Sequence, residues 1–157
     1  RSAPQEVSRW SDSGDHDIVI ARCADRFGDM GIVCVVVLRH GEPASAGVTS
    51  ASGVTGAPAE TGATGPQSRI VAFVLSCRVF GYGVEHVVMN RIKALARQRG
   101  AVRLAARFVA TPHNQPCAGF LGDSGFSLED RDTGEHHACD PAAVRDVEVP
   151  WMKVVVA

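Results

Sequence analysis

Residues Arg78, Val79, Phe80, Gly81, Tyr82 and Gly83 constrain this chain most, because they join a strand-like apolar run at 70–75 to a helix-like run at 84–99. Two glycines permit a tight turn with exposed backbone N–H groups, and the helix start at Val84 adds a partial positive charge. A diphosphate can be held by such a turn without a metal. The bland alternative is an ordinary strand-to-helix connection.

The chain has 157 residues, 45% of them hydrophobic and 21% charged, which suits one packed domain spanning 1–157. A formal net charge of −1 with scattered basic residues gives little electrostatic drive toward nucleic acid or an anionic membrane. No apolar run approaches membrane-spanning length, and no charged-then-apolar leader opens the sequence, so a soluble cytoplasmic protein is expected. The five cysteines lack a C-x-x-C pattern and read as reduced thiols. The sequence begins with Arg1 rather than Met, from which we expect a processed product or a piece of something longer.

Residues 5–10 read as the end of a helix, and strands are expected at 18–24 and 32–38, paired as a hairpin through the turn at 25–31. Residues 41–67 are a Gly, Ala, Ser, Thr and Pro mixture without an aromatic residue, expected to be a disordered insertion in a strand-to-strand loop. Beyond it, a central strand at 70–75 precedes the helix, whose face carries Val84, Val87, Val88, Ile92 and Leu95 and whose end is capped by Gly100. Further strands are expected at 102–110, 126–128 and 152–156, with a short helix within 116–122. This order predicts an α+β, or mixed α/β, arrangement of one sheet with helices against it.

Four blocks carry a more specific resemblance: Asp25, Arg26, Phe27, Gly28, Asp29 and Gly31; Ser76, Cys77, Arg78, Val79, Gly81, Gly83, Val84 and Glu85; Thr111, Pro112 and Asn114; and Gly125 with Phe126. The R-x-x-G-x-G spacing resembles the coenzyme A loop of GNAT-type acyltransferases, and the four blocks together resemble the C-terminal GNAT-like domain of the FkbH-like family. The resemblance implies a mostly antiparallel central sheet flanked by helices, shortened here at its N-terminal side. It also implies a HAD-type phosphatase-like domain as partner, and transfer of a glyceryl unit to an acyl carrier protein in polyketide-type biosynthesis.

From this follow an expected ligand, coenzyme A or phosphopantetheine on a carrier protein, and a set of expected roles. Arg78, Val79, Phe80, Gly81, Tyr82, Gly83 and Val84 would hold the phosphates, and Asn114 would position the pantetheine arm. Cys77 would be the transient acyl carrier, favoured as a thiolate by Arg78 and the helix start, with His113 as its base. The bland alternatives are a buried structural cysteine, a solvated loop histidine and a turn asparagine. Tyr82 stands where the family pattern suggests a basic residue, and Leu121 lacks the hydroxyl with which many GNAT amine acetyltransferases protonate the departing thiolate. A coenzyme A-dependent N-acetyltransferase and a catalytically idle carrier-docking module are the alternative readings.

Other motifs point nowhere. Asp15, His16 and Asp17 lack the preceding strand that a phosphatase signature needs, and Ser124 lacks the surroundings of a protease nucleophile. The run from Glu135 to Asp140 reads as a charged surface loop rather than a metal site, and no metal is expected.

Overall fold

The computed structural model describes residues 14–43, 65–131 and 133–156, so the expected helix at 5–10 and most of the 41–67 segment lie outside the described residues. Strands β1 (His16–Asp25), β2 (Gly28–Pro43) and β3 (Pro66–Leu75) precede helix α1 (Val84–Gln98) and strand β4 (Arg103–Phe108). A 3-10 turn (Gln115–Cys117), helix α2 (Phe120–Asp123) and strands β5 (Ser127–Asp130) and β6 (Glu135–Cys139) complete the order. The six strands form one sheet in the order β1-β2-β3-β4-β6-β5, in which only β3 and β4 pair in parallel. This is the mixed, mostly antiparallel sheet expected from the sequence.

The hairpin forms as expected because its turn satisfies its own backbone. The Asp25 carboxylate accepts the N–H groups of Phe27 at 2.7 Å and Gly28 at 3.2 Å, and Asp29 accepts that of Gly31 at 2.7 Å. The strands run further than the apolar pattern marks. β2 reaches Pro43 and β3 begins at Pro66, with Glu42 paired to Gln67, so the ends of the 41–67 segment belong to the ladder.

Helix α1 buries two adjacent rows at four-residue spacing, Val84, Val88, Ile92 and Ala96 beside Glu85, Met89 and Lys93. Val87 and Leu95, expected on the buried face, are only half-buried. The helix ends in paired bonds from Gly100 N–H to the Arg97 carbonyl and Ala101 N–H to that of Ala96. Gly100 has φ +73, the left-handed conformation this ending requires. The rows pack on Val36, Leu38, Leu104 and Ala106.

Two expectations about the C-terminal part fail. Residues 152–156 form no strand, and the polar run at 135–139 is β6, inserted between β4 and β5 rather than a surface loop. The tail cannot join the sheet because α1 holds the chain leading to it. The Arg97 guanidinium donates to the Pro141 carbonyl at 2.8 Å, and Lys93 to that of Arg145 at 3.1 Å. The Asn90 amide donates to the Val147 carbonyl at 2.8 Å and accepts its N–H at 3.1 Å, satisfying the backbone groups a sheet edge would otherwise take. Segment 141–151 thus runs back along the helix. Lys93 is fully buried, its ammonium also donating to the Ser124 carbonyl at 3.3 Å and lying 3.7 Å from Asp146.

A polar relay ties the far end of the sheet to the end of α1. Buried Ser68 and His40 meet at 2.7 Å, His40 meets Asp17 at 3.0 Å, and Arg99 donates to Asp17 at 2.6 Å. Partial burial raises the Asp17 pKa, but the Arg99 hydrogen bond and charge, with those of His40, outweigh it and hold the carboxyl below its ordinary value. A depressed carboxyl contributes stability that is fully present above the unfolded value, near ~3.9, and is lost as pH falls through the folded one. We expect Asp17→Asn to destabilise the protein at pH 7 and to lose that deficit relative to wild type in strong acid. Urea unfolding across pH 2–7 measures this, and a deficit independent of pH would contradict the assignment.

Candidate functional site

β3 and β4 pair only through Gln67, Ser68 and Arg69 against Arg103, Leu104 and Ala105. Past those residues the parallel strands part, leaving a wedge that opens toward the C-terminal end of β3. In α/β arrangements ligands settle at this end of parallel strands, beside the helix that follows. Here the residues following β3 are the glycine turn.

Gly81 and Gly83 both have positive φ, +85 and +95, so both are needed as glycines for this backbone path. The turn is tightened by Val79 N–H on the Ser76 carbonyl at 3.1 Å and Tyr82 N–H on that of Val79 at 3.4 Å. Gly83 caps α1 without a side-chain hydrogen bond. The N–H groups of Phe80, Gly83, Val84 and Glu85 therefore have no partner among the described residues. Unpaired donors at the start of a 15-residue helix suit a phosphate group; Gly83, Val84 and Glu85 are themselves buried, and Arg78 is exposed in the preceding turn.

The Gly81 N–H is differently placed. It donates at 3.0 Å to Oε1 of Glu85, which is buried and whose Oε2 has no hydrogen-bond partner among the described residues. The glutamate braces the turn from inside and withdraws one amide from the cradle. Val79 and Val84 are buried in the core, Phe80 is half-buried, and Tyr82 is exposed. These side chains anchor the loop, in which Gly81 is exposed and Gly83 is buried.

The tail also reaches this loop, which the sequence did not suggest. Trp151 Nε1 donates to the Tyr82 carbonyl at 2.9 Å, and a Cβ at Gly83 would lie 2.8 Å from Val149 Cγ1. The second glycine is thus required by close approach as well as by φ.

Cys77 lies exposed at the start of the turn, in contrast to the other four unpaired cysteines, which are buried or half-buried. Burial pushes Cys34 and Cys139 up to about 11, and burial with the Glu85 charge raises Cys117. His113 is exposed on the turn at 112–114. No hydrogen bond links it to Cys77 among the described residues. Asn114 is engaged locally, its Oδ1 accepting Thr111 N–H at 2.7 Å and its Nδ2 donating to the Val109 carbonyl at 2.9 Å. One donor hydrogen and one lone pair remain for a ligand. Leu121 is buried in the core, and Ser124 is buried 3.4 Å from Nδ1 of His86, whose ring meets that of Phe120 at a tilt of 51°.

Among the described residues, no three His, Cys, Asp or Glu side chains are grouped to hold a metal, and no helix is long and apolar enough to cross a membrane.

The sheet, its parting strands and the helix after the glycine turn define the GNAT fold, and solved structures bear this out. The GNAT domain of S. lividans PAT is 23% identical, with a TM-score of 0.59, over 89% of this chain and 70% of that one. The PaiA N-acetyltransferase of Thermoplasma acidophilum, solved with coenzyme A, is 12% identical, with a TM-score of 0.56, over 87% and 67%. AtaTR, solved with acetyl-coenzyme A, is 12% identical, with a TM-score of 0.56, over 88% and 77%. No protein-family model and no curated protein matches the sequence.

The exposure pattern predicts selective thiol chemistry. Brief alkylation of the native protein at neutral pH should modify Cys77 before any other cysteine, and Cys77→Ser should remove that first adduct. Peptide mapping by mass spectrometry would read the order, and earlier labelling of Cys34 or Cys139 would contradict the structure.

Proposed function

We propose that this chain binds an acyl-coenzyme A at the turn from Ser76 to Val84 and transfers the acyl group to an amine. One observation carries the proposal: the amides of Phe80, Gly83, Val84 and Glu85, without partners among the described residues, lie in the turn and helix start that follow β3, whose pairing with β4 stops at Arg69. The GNAT fold supports it, as do the coenzyme A and acetyl-coenzyme A held by similarly folded proteins.

When bound, the thioester supplies an activated carbonyl and a thiolate leaving group. The chain's own residues bind and orient. Helix α1 presents its positive end and the open N–H groups to phosphate oxygens, with Arg78 adding a full charge. The wedge takes the apolar part of the pantetheine arm between Phe73 of β3 and β4. Asn114 offers its remaining donor to an arm amide, and His113 is the base that takes the acceptor's proton.

A second reading rests on Cys77 and Leu121. An exposed thiol begins the phosphate turn, and a buried leucine stands where a proton-donating hydroxyl would serve amine transfer. Cys77 then carries the acyl group as a thioester and passes it to the thiol of a carrier protein, as the FkbH-like resemblance implies. That resemblance adds a HAD-type partner domain and a glyceryl unit.

Calorimetry with coenzyme A should give binding that Arg78→Ala weakens about tenfold, the scale of one charge-assisted phosphate contact. No detectable binding to the wild-type chain would overturn the proposal. Intact mass after incubation with acetyl-coenzyme A and a panel of amines separates the readings. Acetylated amine with unmodified protein supports the first, whereas an acyl adduct lost in Cys77→Ala supports the second.

A further inference from the structure

The indole of Trp151 stands on the glycine turn by one edge. Its Nε1 donates to the Tyr82 carbonyl at 2.9 Å, and its Cζ2, the next ring atom but one on the same rim, lies 3.3 Å from where a Cβ of Gly83 would be. Both contacts use the rim, and neither uses a face of the ring. Trp151 is 71% exposed, and among the described residues no other aromatic ring contacts it. A large flat apolar surface is thus held in solvent beside the turn.

The ring is fixed from behind. Asn90 holds Val147 by two hydrogen bonds, the Met152 N–H closes a turn on the Val149 carbonyl at 3.2 Å, and the Val149 side chain lies against Gly83. An aromatic side chain ordered before its ligand arrives loses little further freedom when one binds. A tryptophan that served only to fasten the tail would gain most by burying its ring, because the apolar area removed from water is what stabilises. Trp151 makes its one polar bond and leaves most of its apolar area in water.

What adjoins the ring narrows its occupant. The N–H groups of Gly83, Val84 and Glu85, without partners among the described residues, follow directly on Tyr82, whose carbonyl holds the indole. Such donors suit phosphate oxygens. A ligand served by both features carries a phosphate and a flat π system a short distance apart, which is the make-up of a nucleotide, where one ribose separates base from diphosphate. Bases stack on exposed aromatic side chains through their π faces. Tyr82 is itself exposed, so a second aromatic side chain stands on the same turn.

We propose that Trp151 is the platform on which the adenine of coenzyme A stacks while the diphosphate sits at the turn from Ser76 to Val84. The inference rests on the acyl-coenzyme A reading and adds to it the residue that recognises the nucleotide end. The full chain would be titrated with coenzyme A by calorimetry, and with its fluorescent etheno-adenine derivative, whose emission falls when the base stacks. The wild-type chain should bind both and quench the bound base. Trp151→Ala should bind coenzyme A about tenfold more weakly, the scale of one base–aromatic contact, and leave the bound base bright, with an unchanged circular dichroism spectrum.

Three results would overturn the inference while the acyl-coenzyme A reading stands: a base as bright on the wild-type chain as in free solution, an affinity indifferent to Trp151→Ala, or a variant that binds more weakly yet quenches the base as fully as wild type. The last would mark Trp151 as a support of the turn alone. No binding of coenzyme A to the wild-type chain would overturn that reading, and the inference with it.

Discussion

The short parallel ladder between β3 and β4 is the constraint on which the rest depends. Because α1 connects two parallel strands, it must cross one face of the sheet, and its N-terminus must follow the C-terminal end of β3. Because the ladder stops after Arg69 and Ala105, that helix end meets an open wedge instead of a closed sheet. A fully paired β3 and β4 would leave the same glycine turn as a surface cap with nowhere for a ligand chain to lie.

Separation of two central strands removes backbone hydrogen bonds that other packing must offset. The buried rows of α1 supply most of this, with Ile92, Met89, Leu104 and Leu38 fully excluded from water. Burying one such side chain contributes about 1.5–3 kcal/mol. The polar ties are more specific than strong. Lys93 spends its buried ammonium on two carbonyls, fastening α1 to the end of α2 and to the returning tail. Asn90 and Trp151 continue that fastening as far as Tyr82, so the tail helps to fix the turn whose amides are open.

The features legible in the sequence were those decided within a few residues. The β1–β2 turn, the glycine turn and the end of α1 depend on local backbone demands of Asp25, Gly81, Gly83 and Gly100, and these residue types announce them. β6 was hidden because Glu135, His136 and His137 carry no apolar alternation, and only pairing with β4 and β5 makes them a strand. The apolar run ending at Val156 misled for the converse reason, since its composition suits a strand while its position is set by α1 side chains. Cys77 lies two residues past the end of β3, and its exposure depends on how the loop leaves the sheet. The brace from Glu85 to Gly81 needed coordinates to find.

The four unpaired amides at the start of α1 and in the turn before it can be observed individually. In a two-dimensional amide spectrum of the labelled chain, coenzyme A should shift the N–H signals of Phe80, Gly83, Val84 and Glu85 most. Gly81, already bonded to Glu85, should move less. Saturating coenzyme A that leaves those four signals in place, or that perturbs a different region of the chain instead, would contradict the account.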